Sequence, residues 1–528
     1  MTKKNTTTDD TNKKVVIVWA WPAWLTAWFE LNQQGYQVTI LEMSNALWWI
    51  AQTVNFKGNK IDIGWHRFFS KSDEVMKRWF DRMPMQWAPA SDYKKLSIPI
   101  EVDAWWPDPD KQDIVMLKRN RLSRLFFNRT FFDYPPTLKR DNLKNLGVIN
   151  VIQIVGSYIT SKFQKHDLSN LEGFYIKQFG RKLYELFFKN YTHKLWWKEP
   201  SKIDAARWAQ RVKWVSISEI LKTMWNKTFK KKQKDSKETE TSLISQFRYP
   251  KYGPGQMRET VADQFVRSWW TILKEHKVVE IITDNGKVQK VKLVHQGEEN
   301  TIECDILIST MPIKYLFRWL SQAPTELKEL AELLEYRDFM TVWVLLKKLT
   351  ISNTTSIPTI NGIIPDNRIY VHEAGADFLR MQVFNNRSPY MVADTSTVRV
   401  WLEYMCDKWD ALWNKTDEQL KQEAIDQLEK IGIADHHDLL DSTVIRVEKA
   451  YPWYFGKWYE WFDKLKSYIN SIDNLYCIGR NGMHRYNNQD HSVLCALECV
   501  KGIVSGVDNR WSLWEINTEK EYHEEKKG

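Results

Sequence analysis

The residues that most clearly point to chemistry lie near the start of the chain, in a short pattern of tryptophans. An apolar run, Val15–Val18, is followed by Trp19, Trp21 and Trp24, which gives the pattern W-x-W-x-x-W. A buried strand followed by G-x-G-x-x-G and a helix binds the pyrophosphate of a dinucleotide, because the glycines let the phosphates approach the backbone. Here each glycine position carries an indole of roughly 200 Å², where even a Cβ hinders binding. The spacing therefore predicts a dinucleotide-binding turn that the residue types contradict.

The same anomaly runs through the whole chain. Its 528 residues include 28 Trp and only 20 Gly, whereas an ordinary glycine content of roughly 7% would give about 37. Tryptophans also stand in pairs where turns are expected, at Trp48-Trp49, Trp105-Trp106 and Trp269-Trp270. We hypothesise that many of these residues are glycines in the natural protein, whose UGA codons are read as glycine. The alternative is that the tryptophans are genuine and plug the turn.

The elements around the turn complete a βαβ opening. Residues 14–18 predict a buried strand, Pro22–Gln34 a helix that Gly35 ends, and Gln37–Leu41 a second strand. Glu42 follows this strand, where an acidic residue accepts hydrogen bonds from the adenosine ribose. Residues 276–281 and 304–312 predict two more strands of the same cofactor domain.

Two further segments carry a family resemblance. One runs from Trp48-Trp49 to the I-D-I-G-W-H sequence at Ile61–His66, and the other is the strand and glycine turn at Asn474–Gly482. With glycine at positions 19, 21, 24, 48, 49 and 65, the chain resembles the FAD-binding amine-oxidase and protoporphyrinogen-oxidase superfamily over nearly its whole length. Arg258 and Arg399 stand where that superfamily usually has Trp, which suggests that an arginine codon is reassigned as well.

The resemblance implies an α/β fold, in which a Rossmann-type FAD/NAD(P)-binding domain with a parallel sheet is joined to a mixed α+β substrate domain. It implies FAD as the cofactor, with Val279 presenting its backbone to the adenine. The residues that the resemblance assigns to FAD are Trp19, Ala20, Trp21, Pro22, Ala23, Trp24, Glu42, Trp48, Trp49, Gly64, Trp65, His66, Val279, Gly479, Arg480 and Asp490.

Within the superfamily, two motifs are similar to those of UDP-galactopyranose mutases. They are F-F-K-N-Y-T-H-K-L-W-W-K-E-P at Phe187–Pro200 and R-Y-x-x-x-D at Arg485–Asp490. This branch implies a UDP-sugar substrate, used in surface-polysaccharide synthesis, whose anomeric carbon is attacked by N5 of the reduced flavin without net redox change. Arginines for the diphosphate and aromatic residues for the uracil are sought among Arg129, Tyr134, Tyr191, Trp196, Arg211, Arg485 and Tyr486.

Two other functions stay open. A true oxidoreductase would transfer hydride from an amine, a porphyrinogen or a polyene to FAD, through an apolar or acid-lined funnel. His66, beside the expected flavin, is a candidate proton relay in that case and equally a structural histidine. If the tryptophans are genuine, the chain is a binding protein without flavin.

Composition excludes several other classes. The five cysteines form no CxxC pair, which argues against a zinc site, and no metal ligands are predicted. No apolar run is long enough to span a membrane and residues 1–14 are polar, so we expect a cytoplasmic protein. The net charge of +10 is densest at Lys227–Lys237, which predicts a solvated loop or contact with an anionic membrane rather than nucleic acid.

The resemblance and the Gly253-Pro254-Gly255 turn divide the chain into a discontinuous cofactor domain and an inserted substrate domain. The predicted FAD-binding segments are 15–90, 250–315 and 440–510. The predicted substrate-domain segments are 91–249 and 316–439, and residues 1–14 and 511–528 are predicted to be a disordered tail and a C-terminal tail.

Overall fold

A computed structural model describes residues 13–19, 22–44, 52–64, 68, 70, 72–100, 107–134, 140–196, 198–203, 246–266, 271–453 and 461–516. Strands and helices are numbered separately along these residues. The strands are β1 Lys14–Val18, β2 Gln37–Leu41, β3 Thr53–Phe56, β4 Asn59–Asp62, β5 Met116–Asn120, β6 Ser123–Phe127, β7 Thr130–Asp133, β8 Gln246–Pro250, β9 Thr271–Leu273, β10 Lys277–Asp284, β11 Lys287–His295, β12 Glu298–Glu303, β13 Ile306–Ser309, β14 Glu335–Leu346, β15 Arg368–Val371, β16 Arg380–Val383, β17 Val398–Cys406, β18 Leu439–Trp453 and β19 Leu475–Cys477.

The helices alternate with these strands at both ends of the chain and cluster between β7 and β8. They are α1 Pro22–Gln33, α2 Asp73–Arg82, α3 Ser91–Lys95, α4 Arg140–Leu146, α5 Val148–Phe163, α6 Leu171–Phe179, α7 Arg181–Leu183, α8 Asn190–Trp196, α9 Pro254–Val266, α10 Ile313–Trp319, α11 Thr325–Glu332, α12 Asp417–Lys430, α13 Phe462–Asn470, α14 Gly479–Gly482, α15 Gln489–Ser505 and α16 Arg510–Leu513. A π-helical turn, Tyr184–Lys189, joins α7 to α8.

A five-stranded parallel sheet has the order β19-β13-β1-β2-β9. Its central strand, β1, is an apolar run buried at four of its five residues, as a parallel strand covered on both faces requires. Val15 pairs with Val38 of β2 and with Ile306 of β13. The carboxyl ends of all five strands therefore lie at one edge of the sheet.

A seven-stranded mixed sheet has the order β18-β14-β17-β16-β15-β6-β7, and only the β15–β6 pair is parallel. A three-stranded antiparallel sheet, β10-β11-β12, and the two-stranded pairs β3-β4 and β5-β8 complete the described sheets. The largest apolar cluster joins the parallel sheet and α1 to one side of the mixed sheet, while a second cluster fills the space between the other side and α12.

These sheets confirm the predicted α/β fold class. β1 and β2 have their predicted bounds, and α1 ends one residue early, at Gln33. β13 and β19 extend the parallel sheet, whereas β10 pairs in the separate antiparallel sheet. β18 lies in the mixed sheet, although the predicted boundary at residue 440 assigns it to the cofactor domain. We keep the other domain boundaries as a proposal.

The Gly253-Pro254-Gly255 turn leads into α9 and packs tightly against β3. A Cβ at Gly253 would lie 2.5 Å from the Thr53 hydroxyl oxygen, and one at Gly255 would lie 2.5 Å from the Thr53 backbone nitrogen. Contacts under about 3 Å require one partner to shift. Both positions therefore require glycine for close packing.

Candidate active site

The turn after β1 holds Trp19 in a backbone conformation that favours glycine. Its φ of 72° is in the left-handed region, which costs an L-residue roughly 1–2 kcal/mol. The Trp19 N–H donates to the Leu41 carbonyl at 2.9 Å, and the Thr310 N–H donates to the Val18 carbonyl at 3.1 Å. The indole stacks on the Tyr315 ring with centroids 5.8 Å apart. The backbone at position 19 therefore matches a phosphate-binding glycine, and the side chain does not.

The helix after this turn begins as a phosphate site requires. Pro22 is the first residue of α1, a position where its missing N–H costs nothing. The free N–H groups and the dipole of such a helix end attract phosphate. Ala23 and Trp24 are fully buried and belong to the hydrophobic core. Ala20 and Trp21 lie outside the described residues.

Glu42 lies at the carboxyl edge of the parallel sheet, and the residue just before β10, the strand of Val279, is hydrogen-bonded to it. The Glu42 carboxylate accepts hydrogen bonds from the Ser44 N–H and hydroxyl, both at 2.8 Å. The His276 N–H, just before β10, donates to the Glu42 carbonyl at 3.0 Å. The register of β10 against β11 shifts around Val279, and such a bulge leaves a residue unpaired in the ladder. An adenine bound at Val279 would therefore contact backbone groups that are unpaired in the ladder.

The second glycine segment is described only in part. Gly64 is buried shortly after β4, and the Ile63 N–H before it donates to the Gln52 carbonyl at 3.0 Å. Trp48, Trp49, Trp65 and His66 lie outside the described residues. Their roles stay predictions.

A second left-handed turn leaves the same edge of the sheet after β19. Gly479 has a φ of 79°, and a Cβ there would lie 3.1 Å from the Ala23 Cβ. The C-terminal turn therefore touches the first turn of α1. The Arg480 guanidinium spans the next loop, since Nε donates to the Asn487 carbonyl at 2.8 Å and Nη1 to the Ala450 carbonyl at 3.1 Å. Asp490 is buried in the first turn of α15.

The mixed sheet has one apolar face and one face with buried polar residues. Successive residues of a strand point to opposite faces. Along β17, Val400 and Leu402 belong to the cluster under α12, whereas Trp401 belongs to the cluster of the parallel sheet. Glu403 has the same parity as Trp401 and is fully buried. We call this second face the inner face.

Charged and aromatic side chains form a row across the inner face. Tyr370 of β15 is opposite Arg380 of β16, and Arg380 is opposite Glu403 of β17. The Arg380 guanidinium donates to the Glu403 carboxylate. Arg368 lies two residues before Tyr370, and its Nη1 donates to the Tyr370 hydroxyl at 3.0 Å.

Two tyrosines from outside the sheet cover this row. The Tyr134 ring stacks on Tyr370 with centroids 3.9 Å apart. The Tyr191 ring of α8 meets Tyr370 edge-on at 6.4 Å and stacks on His372 at 4.6 Å. These side chains define the inner cluster, which consists of Tyr134, Tyr191, Arg368, Tyr370, Arg380 and Glu403.

The inner cluster is joined to the C-terminal turn through Tyr451 of β18. The charges of Glu403, Arg380 and Arg480 all act on the Tyr451 hydroxyl. The Arg480 guanidinium lies 5.4 Å from the Tyr451 ring and 4.8 Å from the Tyr486 ring, and the two rings stack at 5.5 Å. The inner cluster and the turn at Gly479 therefore belong to one continuous site.

Burial controls the protonation of this site. It raises the pKa of Tyr191 and of Tyr451 well above the usual range, so both hydroxyls stay protonated donors. It lowers the pKa of His372 to about 3, which keeps the ring neutral. It also lowers the pKa of Lys194 to about 8, and Lys194 Nζ donates to the backbone carbonyls of Val371 and Glu373.

The family model for flavin-containing amine oxidoreductases matches residues 25–479. The chain belongs to this family. A search of curated proteins finds no significant match. The family makes the protein a flavin-dependent enzyme.

Solved structures share the fold of this chain at low identity. Reduced UDP-galactopyranose mutase is 18% identical with a TM-score of 0.72, covering 97% of this chain and 100% of its own. A putative protoporphyrinogen oxidase from Exiguobacterium sp. 255-15 is 14% identical with a TM-score of 0.63, covering 94% and 99%. A putrescine oxidase triple mutant is 11% identical with a TM-score of 0.56, covering 94% and 99%.

The predicted substrate residues of this chain fall into two groups. Tyr134 and Tyr191 belong to the inner cluster, and Tyr486 touches it through Tyr451. Arg129 is exposed, and its Nη2 donates to the Lys430 carbonyl at 2.9 Å. Arg485 Nη1 donates to the carbonyls of two C-terminal residues, Trp514 and Ile516. Trp196 packs edge-on against Trp453 at 4.5 Å, and Arg211 lies outside the described residues.

Sequence patterns alone do not identify five residues of the site, which are Arg368, Tyr370, Arg380, Glu403 and Tyr451. For Arg368, Tyr370 and Arg380 the signal is the alternation of polar with apolar residues in the sequences R-I-Y-V and R-M-Q-V. That alternation predicts strands with one polar face. It does not reveal that the polar face is buried, because burial depends on the packing of the two domains.

Arg399, on the inner face of β17, is poorly accommodated. It is 2% exposed, and its Nη2 donates to the Met391 carbonyl. Nε and Nη1 have no hydrogen-bond acceptor among the described residues, and burial lowers the pKa of the guanidinium to about 10. A buried cation in this state favours the hypothesis of an apolar natural residue here. The Arg258 side chain lies outside the described residues.

The backbone of the site fits a flavin dinucleotide. The left-handed turns at 19 and 479, the start of α1 and the carboxylate of Glu42 supply the parts that such a group requires. The side chain at Trp19 does not fit, because a Cβ and an indole occupy the turn where phosphates approach the backbone. The fit is complete only if position 19 is glycine.

Proposed function

We propose that the protein is a FAD-dependent enzyme that acts on a UDP-sugar, in the manner of a UDP-galactopyranose mutase. The observation that carries the proposal is the pair Arg368 and Arg380, set among tyrosines on the buried inner face. Guanidinium groups suit diphosphates because their planar donors match two phosphate oxygens. Tyrosine rings supply flat apolar surface for a base and a hydroxyl for hydrogen bonding.

Several residues of this chain would hold FAD. The pyrophosphate would lie at the turn after β1 and the N-terminus of α1, the ribose at Glu42 and the adenine at Val279. Gly64 and Gly479 would lie close to the flavin end, with Arg480 and Asp490 nearby. Bound and reduced, FAD supplies an electron-rich nitrogen for attack on an anomeric carbon.

The charge of the inner cluster favours an anionic substrate. Arg368 and Arg380 face the single carboxylate of Glu403 within the cluster, and Arg480 adds a further positive charge beside Tyr451. A diphosphate would offset this excess, whereas a protonated amine would be repelled. Burial strengthens both effects, because charges interact more strongly away from water.

The tyrosine hydroxyls would position the substrate without carrying charge. Since their pKa values are raised, Tyr191 and Tyr451 donate hydrogen bonds at neutral pH. Donors in a buried site favour phosphate oxygens and sugar hydroxyls and exclude water from the reacting carbon. This role requires the ring packing that Tyr134 and Tyr370 supply.

The test uses protein with glycine at positions 19, 21, 24, 48, 49 and 65, loaded with FAD. Because UDP is shared by all UDP-sugars, UDP is the probe, and its binding is read from the flavin absorbance. Arg368→Ala and Arg380→Ala should each weaken UDP binding about 100-fold, since truncating a buried charge contact costs roughly 2–5 kcal/mol. Arg129→Ala is the matched control, and it should bind UDP normally.

Turnover separates the candidate functions. We expect conversion of UDP-galactopyranose to the furanose form only after dithionite reduction, followed by chromatography of the nucleotide sugars. Flavin reduction by a porphyrinogen or an amine, with peroxide formed in air and no response to UDP, would instead identify an oxidoreductase. Protein that stays colourless with the six glycines would exclude both.

A further inference from the structure

Helix α5 carries an apolar stripe that faces solvent. Its members recur at intervals of one helical turn, which sets them on one side of the helix. Their exposed fractions are large for apolar side chains. They are Val148 at 75%, Ile149 at 74%, Ile152 at 65%, Val155 at 46%, Ile159 at 53% and Phe163 at 87%.

The opposite side of α5 fixes the helix to the protein. A Cβ at Gly180 would lie 2.7 Å from the Tyr158 nitrogen, so the backbone of α5 touches the turn before α7. The Ser157 hydroxyl accepts a hydrogen bond from the Lys182 N–H at 2.9 Å. These contacts fix the orientation of α5, so that the apolar stripe faces solvent. Apolar patches of this extent usually mark an interaction surface.

The charges around the stripe are mainly basic. Helix α5 contains no acidic residue. Lys144 of α4 is exposed before its N-terminus, and Lys162 and Lys165 are exposed at its C-terminus. Asp167, the nearest described acid in sequence, adds one negative charge beyond the C-terminus of α5 and accepts hydrogen bonds from Ser169 and Asn170. The rim therefore favours an anionic partner.

We propose that α5 binds the surface of an anionic lipid membrane and lies in its plane. A helix of 16 residues is about 24 Å long and buries one apolar side in the lipid interface while lysines contact the headgroups. Within the described ranges, each helix is too short or too polar to cross a bilayer, so the contact is with the surface. A second copy of the chain is the alternative occupant of the stripe, and the test below distinguishes it from a membrane.

The test is flotation of the FAD-loaded protein with vesicles. We expect binding to mixed phosphatidylcholine and phosphatidylglycerol vesicles, and at least tenfold weaker binding to pure phosphatidylcholine or in high salt. The double substitution Ile152→Asp and Ile159→Asp should reduce binding at least tenfold, with thermal melting and flavin content unchanged. Val507→Asp, at a residue that is 63% exposed outside the stripe, is the matched control and should bind normally.

Three results would overturn the proposal. One is wild-type protein that fails to float with anionic vesicles. Another is a dimer by light scattering that the double substitution dissociates, which would make a second copy the occupant of the stripe. The third is normal flotation of the double variant with flotation lost on deletion of residues 227–237, which would assign the lipid contact to the lysine-rich segment. None of these results depends on the UDP assay.

Discussion

Two turns leave the same edge of the parallel sheet with nearly the same backbone and opposite residue types. The first follows β1 and carries Trp19 at a φ of 72°, and the second follows β19 and carries Gly479 at a φ of 79°. Left-handed backbone suits glycine and costs an indole-bearing residue energy. The fold therefore favours glycine at both turns, whichever residue stands there.

The surroundings of the two turns also differ. At Gly479 a Cβ would approach the Ala23 Cβ to 3.1 Å, so the chain packs closely and leaves little room. At Trp19 the indole stacks on the Tyr315 ring. The first turn thus keeps the shape of a phosphate-binding loop while its side chain occupies space that the loop would leave open.

The largest predicted effect is the gain of flavin on replacing the six tryptophans. Protein with Trp19→Gly, Trp21→Gly, Trp24→Gly, Trp48→Gly, Trp49→Gly and Trp65→Gly should purify yellow with close to one FAD per chain. The unaltered sequence should bind FAD at least 100-fold more weakly, because the indoles exclude the pyrophosphate. Absorbance spectra and FAD titration measure both.

Peptide mass spectrometry of the natively expressed protein provides the matching control. We expect glycine masses at positions 15–67 wherever this chain has the six tryptophans. Tryptophan masses together with bound flavin would contradict the glycine hypothesis, since the left-handed turn would then bind phosphate with an indole in place.

Arg399, in β17 of the mixed sheet, is likewise a residue that its surroundings do not suit. Arg399→Trp should raise the free energy of unfolding by about 2 kcal/mol, because replacing a poorly paired buried charge by an apolar group is often stabilising. Urea unfolding at neutral pH measures the change. The ring would lie beside Trp343, which already contacts the guanidinium at 5.8 Å.

Arg119 is the matched control, because it is also 2% exposed but forms an ion pair with the Asp92 carboxylate. Its Nη1 donates to the Asp92 carboxylate at 2.9 Å. Arg119→Met should lower the free energy of unfolding by about 3 kcal/mol, since it removes the ionic partner of the buried Asp92 carboxylate. Equal destabilisation by Arg399→Trp would show that arginine belongs at position 399.

The sequence predicts the strands at the cofactor-binding edge of the parallel sheet better than it predicts the residues of the inner cluster. Val15–Val18 and Gln37–Leu41 are apolar runs bounded by turn residues, and such local signals determine buried strands. The inner cluster joins Tyr134, Arg380 and Glu403 through sheet register and packing between distant segments. No local pattern carries that information, because each of these residues is also common on exposed strands.

The smallest predicted effect on FAD binding concerns the second turn. It separates the contribution of backbone conformation from that of close packing. Gly479→Ala should lower the free energy of unfolding by about 2 kcal/mol, from left-handed strain of roughly 1 kcal/mol and from contact with Ala23. It should also weaken FAD binding several-fold, since the turn touches the start of α1. Gly297→Ala is the control, because Gly297 has a φ of 89° with nothing within 4 Å of a Cβ.

Gly297→Ala should therefore cost about 1 kcal/mol of strain and leave FAD binding unchanged. Urea unfolding and FAD titration of both variants in the glycine-restored protein measure the difference. If the two variants lose equal stability and Gly479→Ala keeps full FAD affinity, the glycine at 479 serves backbone conformation alone.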